Sequence, residues 1–380
     1  MTMHTNNSHR LETTALEIPP RLLLGPGPSN PHPRVLEAIG SGVVGHLDPV
    51  FINLMGEVQE LLRYLFQTDN EMTIPVSGTG SAAMEASIAN TIEPGDVILI
   101  AINGYFGQRL ADMAGRYGAD VRILEKPWGQ VFSEDEIKQG LKEHRPVVLG
   151  IVQGETSTGV MQPLEGLGDL CHEYGALLLV DTVASLGGVP FFTDEWNVDV
   201  VYSGSQKCMS CPPGLAPLTL GPKAVERLNN RKTKVANWYL DMTLLTKYWG
   251  SERTYHHTAP INMNYALREA LFLVAEEGLD ECWARHQNTA EYLWSGLSDL
   301  GLACLVERDL RLASLTTVRV PDGVDAKEVT VRLLNEFNIE IAGGFGPLAG
   351  QIWRVGLMGF NSQPQNVDRL LKALKVVLAK

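Results

Sequence analysis

Short apolar runs alternate with amphipathic segments through the first two thirds of the chain. Residues 48–66 carry apolar side chains at helical spacing, with Asp48 placed to cap a helix and Pro49 at its first position. After this helix the pattern predicts strands and helices in alternation. The predicted strands are 72–76, 97–101, 121–124, 147–152, 176–180 and 198–202, and the predicted helices are 82–91, 106–117, 133–143 and 164–174. Because these strands are apolar throughout, the order indicates an α/β fold with a mainly parallel sheet covered by helices on both faces.

The pattern changes after about residue 278. The predicted elements of this part are a long helix at 279–300, strands near 316–320 and 352–356, a helix at 326–337 and a terminal helix at about 365–378. We interpret them as a smaller α+β domain that packs on the large one. The predicted division is a flexible N-terminal arm at 1–21, a large domain at 22–277 and a small C-terminal domain at 278–380.

Composition narrows the classes of function. The 380 residues are 44% hydrophobic and carry a net charge of −13, which suits a large core and argues against a nucleic-acid surface. Five scattered cysteines favour a reducing compartment. Cys208 and Cys211 lack the second pair of ligands that a zinc site would need, and we therefore expect no metal. The first twenty residues have no apolar signal segment and no run approaches membrane-spanning length, so we expect a cytoplasmic protein.

A single lysine follows the last strand predicted in the large domain. Residues 198–202 are strand-like, residues 203–206 are small and polar, and Lys207 stands at the end of the stretch. Pro212 and Pro213 prevent a helix beyond it. A lysine beside a buried strand can lose hydration, and its pKa then falls, which leaves a neutral amine able to attack a carbonyl. On this stretch alone, a solvated lysine in a turn is the simpler interpretation.

Other polar residues also follow predicted strands. The turn at 77–81 leads from a strand into a helix, whose free N–H groups suit a phosphate, although such turns are commonly structural. The turn is neither a dinucleotide fingerprint nor a P-loop, which disfavours nucleotide binding. Asp181 closes an apolar run where α/β sheets bind ligands, either as a cap or as the partner of a pyridine nitrogen. With the polar loop 154–159 and Lys207, these features match what pyridoxal phosphate requires.

Several longer motifs carry a family resemblance. They are LLLGPGPSN at 22–30, GETSTGV at 154–160, LLLVDTVASLGG at 177–188, YSGSQK at 202–207, YHHT at 255–258 and the segment around Arg354. In this order, from residue 22 to the C-terminus, they resemble the class-V, fold-type I pyridoxal-phosphate-dependent aminotransferases, in particular the branch that acts on alanine and glyoxylate or on serine and pyruvate. The resemblance implies a seven-stranded sheet in the large domain, pyridoxal phosphate as cofactor, and a homodimer whose sites are completed across the interface.

The resemblance also implies roles for individual residues. Lys207 is expected to carry the cofactor covalently, and Asp181 to pair with the pyridinium nitrogen. The other implied cofactor contacts are Thr79, Gly80, Ser81, Phe106, Thr156, Val183 and Gln206, with Tyr255 and Thr258 reaching the phosphate of the neighbouring subunit. The implied substrate contacts are Gly27 and Arg354, the latter gripping the carboxylate with its guanidinium fork. Phe106 and Ser81 stand where the animal enzymes have tryptophan and histidine.

The expected activity is ping-pong transamination between alanine and glyoxylate, which gives pyruvate and glycine. Serine as the donor, with glyoxylate or pyruvate as acceptor, is the alternative within the family. A carbon–sulfur lyase of the same fold would need a catalytic cysteine late in the chain, and the sequence after residue 310 has none. A cofactor-binding scaffold without activity is disfavoured because Lys207, Asp181 and Arg354 occur together.

Overall fold

The computed structural model describes residues 15–379, which form strands and helices in the following order. The strands are β1 (Leu22–Leu23), β2 (Met72–Ser77), β3 (Val97–Ile102), β4 (Asp120–Glu125), β5 (Val148–Val152), β6 (Gly154–Glu155), β7 (Val160–Met161), β8 (Leu177–Asp181), β9 (Val200–Tyr202), β10 (Leu215–Leu220), β11 (Leu315–Arg319), β12 (Ile339–Glu340), β13 (Ala342–Gly343) and β14 (Ile352–Gly356). The α-helices are α1 (Pro33–Ile39), α2 (Pro49–Phe66), α3 (Gly80–Thr91), α4 (Tyr105–Arg116), α5 (Glu134–His144), α6 (Leu167–Glu173), α7 (Pro222–Asn229), α8 (Met242–Trp249), α9 (Ile261–Glu277), α10 (Leu279–Asp299), α11 (Ala326–Phe337) and α12 (Pro364–Leu378).

The large sheet has seven strands within this part of the chain, in the order β2-β10-β9-β8-β5-β3-β4. The pairs from β9 to β4 are all parallel, whereas β10 runs antiparallel to both of its neighbours. Helices α2 to α6 pack against this sheet. The predicted α/β class, with a mainly parallel seven-stranded sheet flanked by helices, is confirmed.

Strand β10 was not predicted from the sequence. Pro217 lies in its middle, and a proline cannot donate a hydrogen bond to a neighbouring strand, so it argues against an interior strand. In the structure Pro217 lies opposite Pro75 of β2, and its carbonyl accepts the N–H of Ser203 at 2.8 Å. At the start of β10, the carbonyls of Gly214 and Leu215 accept N–H groups from the two loops that carry the predicted site residues. Strand β10 therefore brings the loop after β2 beside the loop after β9.

The predicted start of helix α2 is confirmed. Asp48 is the N-cap, its side chain accepts the N–H of Val50 at 2.8 Å, and Pro49 is the first helical residue. Helix α3 begins at Gly80, two residues earlier than predicted, so that Gly80 and Ser81 belong to its first turn. Nine of its twelve residues are buried, which explains why its sequence shows little amphipathic pattern.

A smaller antiparallel sheet follows in the C-terminal third. Its central strand, β14, pairs with β11 on one side and β13 on the other, and Arg354 lies in the middle of β14. Leu22 and Leu24 pack in the same apolar cluster as Trp353, because β1 pairs with β12. The division into domains remains a prediction, and residues 1–14 of the predicted arm lie outside the described residues. None of the described helices is long and apolar enough to span a membrane.

Candidate active site

A cavity opens where the parallel strands of the large sheet end. Strand β8 ends at Asp181, β9 runs into the loop that holds Lys207, β5 leads to the loop at 154–159, and β2 leads into α3. The residues that line the cavity are Thr79, Gly80, Ser81, Met84, Phe106, Arg109, Val152, Gly154, Thr156, Asp181, Val183, Ala184, Gln206 and Lys207. Of the eleven predicted cofactor contacts, nine line this cavity, and Tyr255 and Thr258 do not. Residues up to 128 positions apart in the sequence thus line one space.

The turn at 25–28 packs against the side chain of Lys207. The Nζ of Lys207 donates a hydrogen bond to the carbonyl of Pro26. Gly27 has a φ of +100°, and a Cβ at this position would lie 2.6 Å from Nζ, so only glycine fits. Burial lowers the pKa of Lys207 to about 8, with the nearby charge of Asp181 acting in the opposite direction. At neutral pH a fraction of the side chain is therefore an uncharged amine.

Asp181 lines the cavity and is 2% exposed. One carboxylate oxygen accepts the N–H of Val183 at 2.8 Å, and the other accepts the hydroxyl of Tyr202 at 2.7 Å. Burial raises the pKa of Asp181 to about 6, against the effect of these hydrogen bonds and of the Lys207 charge. Asp181 is therefore an oriented anion at neutral pH, and its position at the end of β8 is the one predicted.

The start of α3 is suited to an anion. Thr79 is the N-cap but makes no capping hydrogen bond with its side chain, and the first N–H groups of a helix have no intrahelical acceptor. Nearby, the Oε1 atom of Gln206 is buried and has no hydrogen-bond partner among the described residues. The oxygen and nitrogen of an amide exchange places by a flip, so Gln206 can equally present a donor. This set of polar groups is suited to a phosphate.

Arg109 belongs to this cavity and was not predicted. Its guanidinium donates a hydrogen bond to the hydroxyl of Ser81 at 3.3 Å and lies 4.8 Å from the ring centroid of Phe106. The only sequence signal was its spacing, three residues after Phe106 on one helix face. Arg109 adds a positive charge beside the predicted phosphate position.

Glu155 is a second residue that sequence reasoning missed, although it lies inside a quoted motif. Its buried carboxylate accepts the N–H of Phe106 at 2.9 Å through one oxygen. The other oxygen accepts the N–H of Ser157 at 2.9 Å and its hydroxyl at 2.6 Å. A Cβ at Gly104 would collide with this side chain, so glycine is required at the residue that precedes α4. Burial raises the pKa of Glu155.

Arg354 lies beside the cavity rather than in its lining. Its Nε donates to the carbonyl of Gly343 at 2.8 Å, and its guanidinium carbon lies 4.5 Å from the ring centroid of Phe345. Burial lowers the pKa of Arg354 to about 10, with the charge of Glu155 acting in the opposite direction. The positive charge of Arg354 in turn contributes to the lowered pKa of Lys207.

Tyr255 and Thr258 are the two predicted cofactor contacts that do not line the cavity. Both are exposed at the surface, with 56% of Tyr255 accessible. The same segment contacts the end of β2, because His257 and Ser77 share a hydrogen bond of 2.8 Å. Tyr255 and Thr258 are therefore exposed in a segment that contacts the end of β2.

The cavity fits pyridoxal phosphate. The start of α3 and the amide of Gln206 suit the phosphate, Lys207 offers an amine, and Asp181 offers a carboxylate for the ring nitrogen. Among the described residues, no three His, Cys, Asp or Glu side chains cluster in a way that could hold a metal ion.

Comparisons with known proteins agree with this chemistry. The family model described as aminotransferase class-V matches residues 27–370. The alanine–glyoxylate aminotransferase of Mus musculus is 45% identical over 367 residues, which are 96% of this chain and 89% of the mouse protein. The (S)-ureidoglycine–glyoxylate transaminase of Bacillus subtilis is 40% identical over 380 residues, covering 95% of this chain and 91% of that protein. The crystal structure of alanine–glyoxylate aminotransferase from Nostoc sp. is 63% identical with a TM-score of 0.98, covering 99% of this chain and 100% of that one. By its sequence, its fold and the residues that line its cavity, the chain belongs to the class-V aminotransferases.

Proposed function

We propose that this enzyme transfers the amino group of alanine to glyoxylate, giving pyruvate and glycine, with pyridoxal phosphate as its cofactor. The observation that carries the proposal is the cavity at the strand ends, where the Lys207 amine, the Asp181 carboxylate and the free start of α3 surround one space. The mouse and Nostoc relatives bear the name of this activity and match nearly the whole chain.

Bound pyridoxal phosphate would supply a reactive carbonyl and a ring that accepts electrons. Lys207 can take a proton from the substrate Cα and return it, because a pKa of about 8 lets Nζ exist in both protonation states near neutral pH. Asp181 is negative at this pH, and its carboxylate would hold a proton on the ring nitrogen.

Arg354 would orient the substrate. A guanidinium binds a carboxylate with two parallel hydrogen bonds, and only the Nε of Arg354 is already engaged within the described residues. Alanine and glyoxylate both carry an α-carboxylate, so one arginine serves both halves of the ping-pong reaction.

The choice of amino donor is the finer part of the proposal. Serine is the alternative donor, with glyoxylate or pyruvate as acceptor. The B. subtilis relative is named for (S)-ureidoglycine, so this compound is a third donor to be tested. Carbon–sulfur lyase chemistry has less support, because no cysteine lines the cavity within the described residues, and burial raises the pKa of the neighbouring Cys208 to about 12.

We also propose a cytoplasmic homodimer. Tyr255 and Thr258 are exposed in a segment that contacts the end of β2, where a second copy of the chain could use them to complete its own site. All five cysteines are free in the described residues, which suits a reducing compartment.

One assay tests the activity. The purified protein is loaded with pyridoxal phosphate and given glyoxylate with alanine, serine, glutamate or (S)-ureidoglycine in parallel, and glycine is measured. We expect the highest kcat/KM with alanine. A clear preference for serine or (S)-ureidoglycine would replace the donor but keep the enzyme class, whereas no glycine with any donor would contradict the proposal.

A further inference from the structure

A continuous series of aromatic rings and guanidinium groups lies between β14 and α4. The guanidinium of Arg354 lies 4.5 Å from the ring centroid of Phe345, and the ring of Tyr105 meets Phe345 edge-on at 4.8 Å. On the other side of Tyr105, the guanidinium of Arg109 lies 5.2 Å from its ring and 4.8 Å from the ring of Phe106. The series therefore joins the predicted substrate arginine to the ring that lines the cofactor cavity.

Phe345 has restricted freedom in this arrangement. Besides Tyr105, its ring meets Trp128 in an edge-on contact at 6.4 Å. The next residue, Gly346, has a φ of +56° and lies against the Trp128 indole. Contacts from two separate parts of the chain thus hold the Phe345 ring against the face of Arg354.

The guanidinium of Arg354 is fixed on one edge and one face. Its Nε donates to Gly343, the Phe345 ring covers one face, and its two terminal nitrogens have no hydrogen-bond partner among the described residues. A guanidinium stacked on an aromatic ring loses rotational freedom and keeps its charge, which prepares the fork for a carboxylate.

We propose that Phe345 is a positioning residue that holds the Arg354 fork in the orientation that receives the substrate α-carboxylate. This inference rests on the proposed function, because it assumes that Arg354 binds the substrate. The free arginine would sample several rotamers, and the ring removes part of that entropy before the substrate arrives.

The test compares Phe345→Leu and Phe345→Ala with Phe345→Tyr, which keeps the ring. Loss of a desolvated cation–π contact predicts that KM for both alanine and glyoxylate rises about 5- to 30-fold in the first two variants, whereas kcat changes by less than about 3-fold. Phe345→Tyr should keep the wild-type KM for both substrates. Tyr292→Leu serves as the matched control, since this aromatic residue is exposed on α10, outside the cavity lining.

A binding measurement separates this inference from the proposed function. Propionate carries the carboxylate but no amino group, and its dissociation constant for the cofactor-loaded protein is measured by calorimetry. We expect weaker binding to Phe345→Ala and Phe345→Leu by the same factor as the rise in KM, at unchanged cofactor content and melting temperature.

The outcomes are distinct. If the wild type binds propionate but has no activity with alanine and glyoxylate, the proposed function fails, and the effect of Phe345 on binding still decides the inference. Equal propionate binding by the wild type and both truncated variants would overturn the inference, as would a wild type that binds no propionate. Loss of cofactor or of thermal stability in both variants would also overturn it, because Phe345 would then be a structural residue.

Discussion

The carboxylate of Glu155 accepts the backbone N–H of Phe106 at 2.9 Å, so a side chain from β6 caps the first turn of α4. Gly104, which precedes this helix, has no side chain that could do so. The ring of Phe106 lines the cofactor cavity, and its backbone is held by a residue 49 positions later in the chain. The start of α4 thus depends on the loop after β5, which also carries Thr156.

We expect Glu155→Gln to destabilise the protein. The carboxylate accepts three hydrogen bonds from N–H and O–H donors. The amide nitrogen of glutamine is itself a donor, so at least one of these three donors would lose its acceptor. A buried hydrogen-bond mismatch costs about 1–3 kcal/mol, to be measured by denaturant unfolding. Because Phe106 would lose its position, the affinity for pyridoxal phosphate should fall as well. Glu60→Gln, an exposed position on α2, should change stability by less than about 0.5 kcal/mol. Equal effects of the two changes would contradict a special role of Glu155.

Lys207 should be the residue that binds the cofactor covalently. Borohydride reduction of the loaded protein should fix pyridoxal phosphate on the peptide that contains Lys207, as mass spectrometry would show. Lys207→Ala should retain the fold but lose transamination, because no other lysine lines the cavity in the described residues. A label on a different lysine would refute this assignment.

The rate at which the apoprotein takes up pyridoxal phosphate should rise with pH through about 8. Below the Lys207 pKa of about 8, Nζ is protonated and has no lone pair for attack, whereas above it the amine is neutral. Stopped-flow absorbance between pH 6.5 and 11 measures this. A midpoint near the ordinary lysine value of about 10.4 would show that the cavity does not lower the pKa.

Arg354→Lys should lose activity while it keeps the cofactor. Lysine cannot reproduce the planar fork, and the loss of a buried charge-assisted contact costs about 2–5 kcal/mol, or one to several orders of magnitude in kcat/KM. Because both substrates present a carboxylate, the two half-reactions should fall by similar factors in single-turnover experiments. Arg332→Lys, half-buried on α11 and paired with Glu336, is the matched control and should behave as the wild type. Normal kinetics in Arg354→Lys would leave this arginine a structural role only.

Two inactive variants should complement each other if the sites are shared. In a mixed dimer of Lys207→Ala and Tyr255→Ala/Thr258→Ala, one of the two sites carries neither change. Random exchange would give about a quarter of the wild-type activity, since half of the dimers are mixed and each has one intact site. Activity is assayed after subunit exchange, with size-exclusion chromatography to verify the dimer. A monomer with full cofactor affinity, or an absence of complementation despite exchange, would refute the shared site.

The sequence alone determined the elements whose signals are local. The capped start of α2, the alternation of strands and helices, and the strand-end positions of Asp181 and Lys207 all follow from short stretches, because helical spacing, capping and strand hydrophobicity act within a few residues. The family motifs are contiguous for the same reason, so the sequence was enough to identify the family and most of the residues that line the cavity.

Only the tertiary structure decided which distant residues meet. Strand β10 was hidden by Pro217, whose missing N–H is tolerated because the chain pairs through its carbonyl and its neighbours instead. Glu155 gained its role from contact with Phe106, and Phe345 from contact with Arg354 across the turn between β13 and β14. Such contacts depend on how strands and loops pack in space, and neither local propensity nor hydrophobic periodicity records that arrangement.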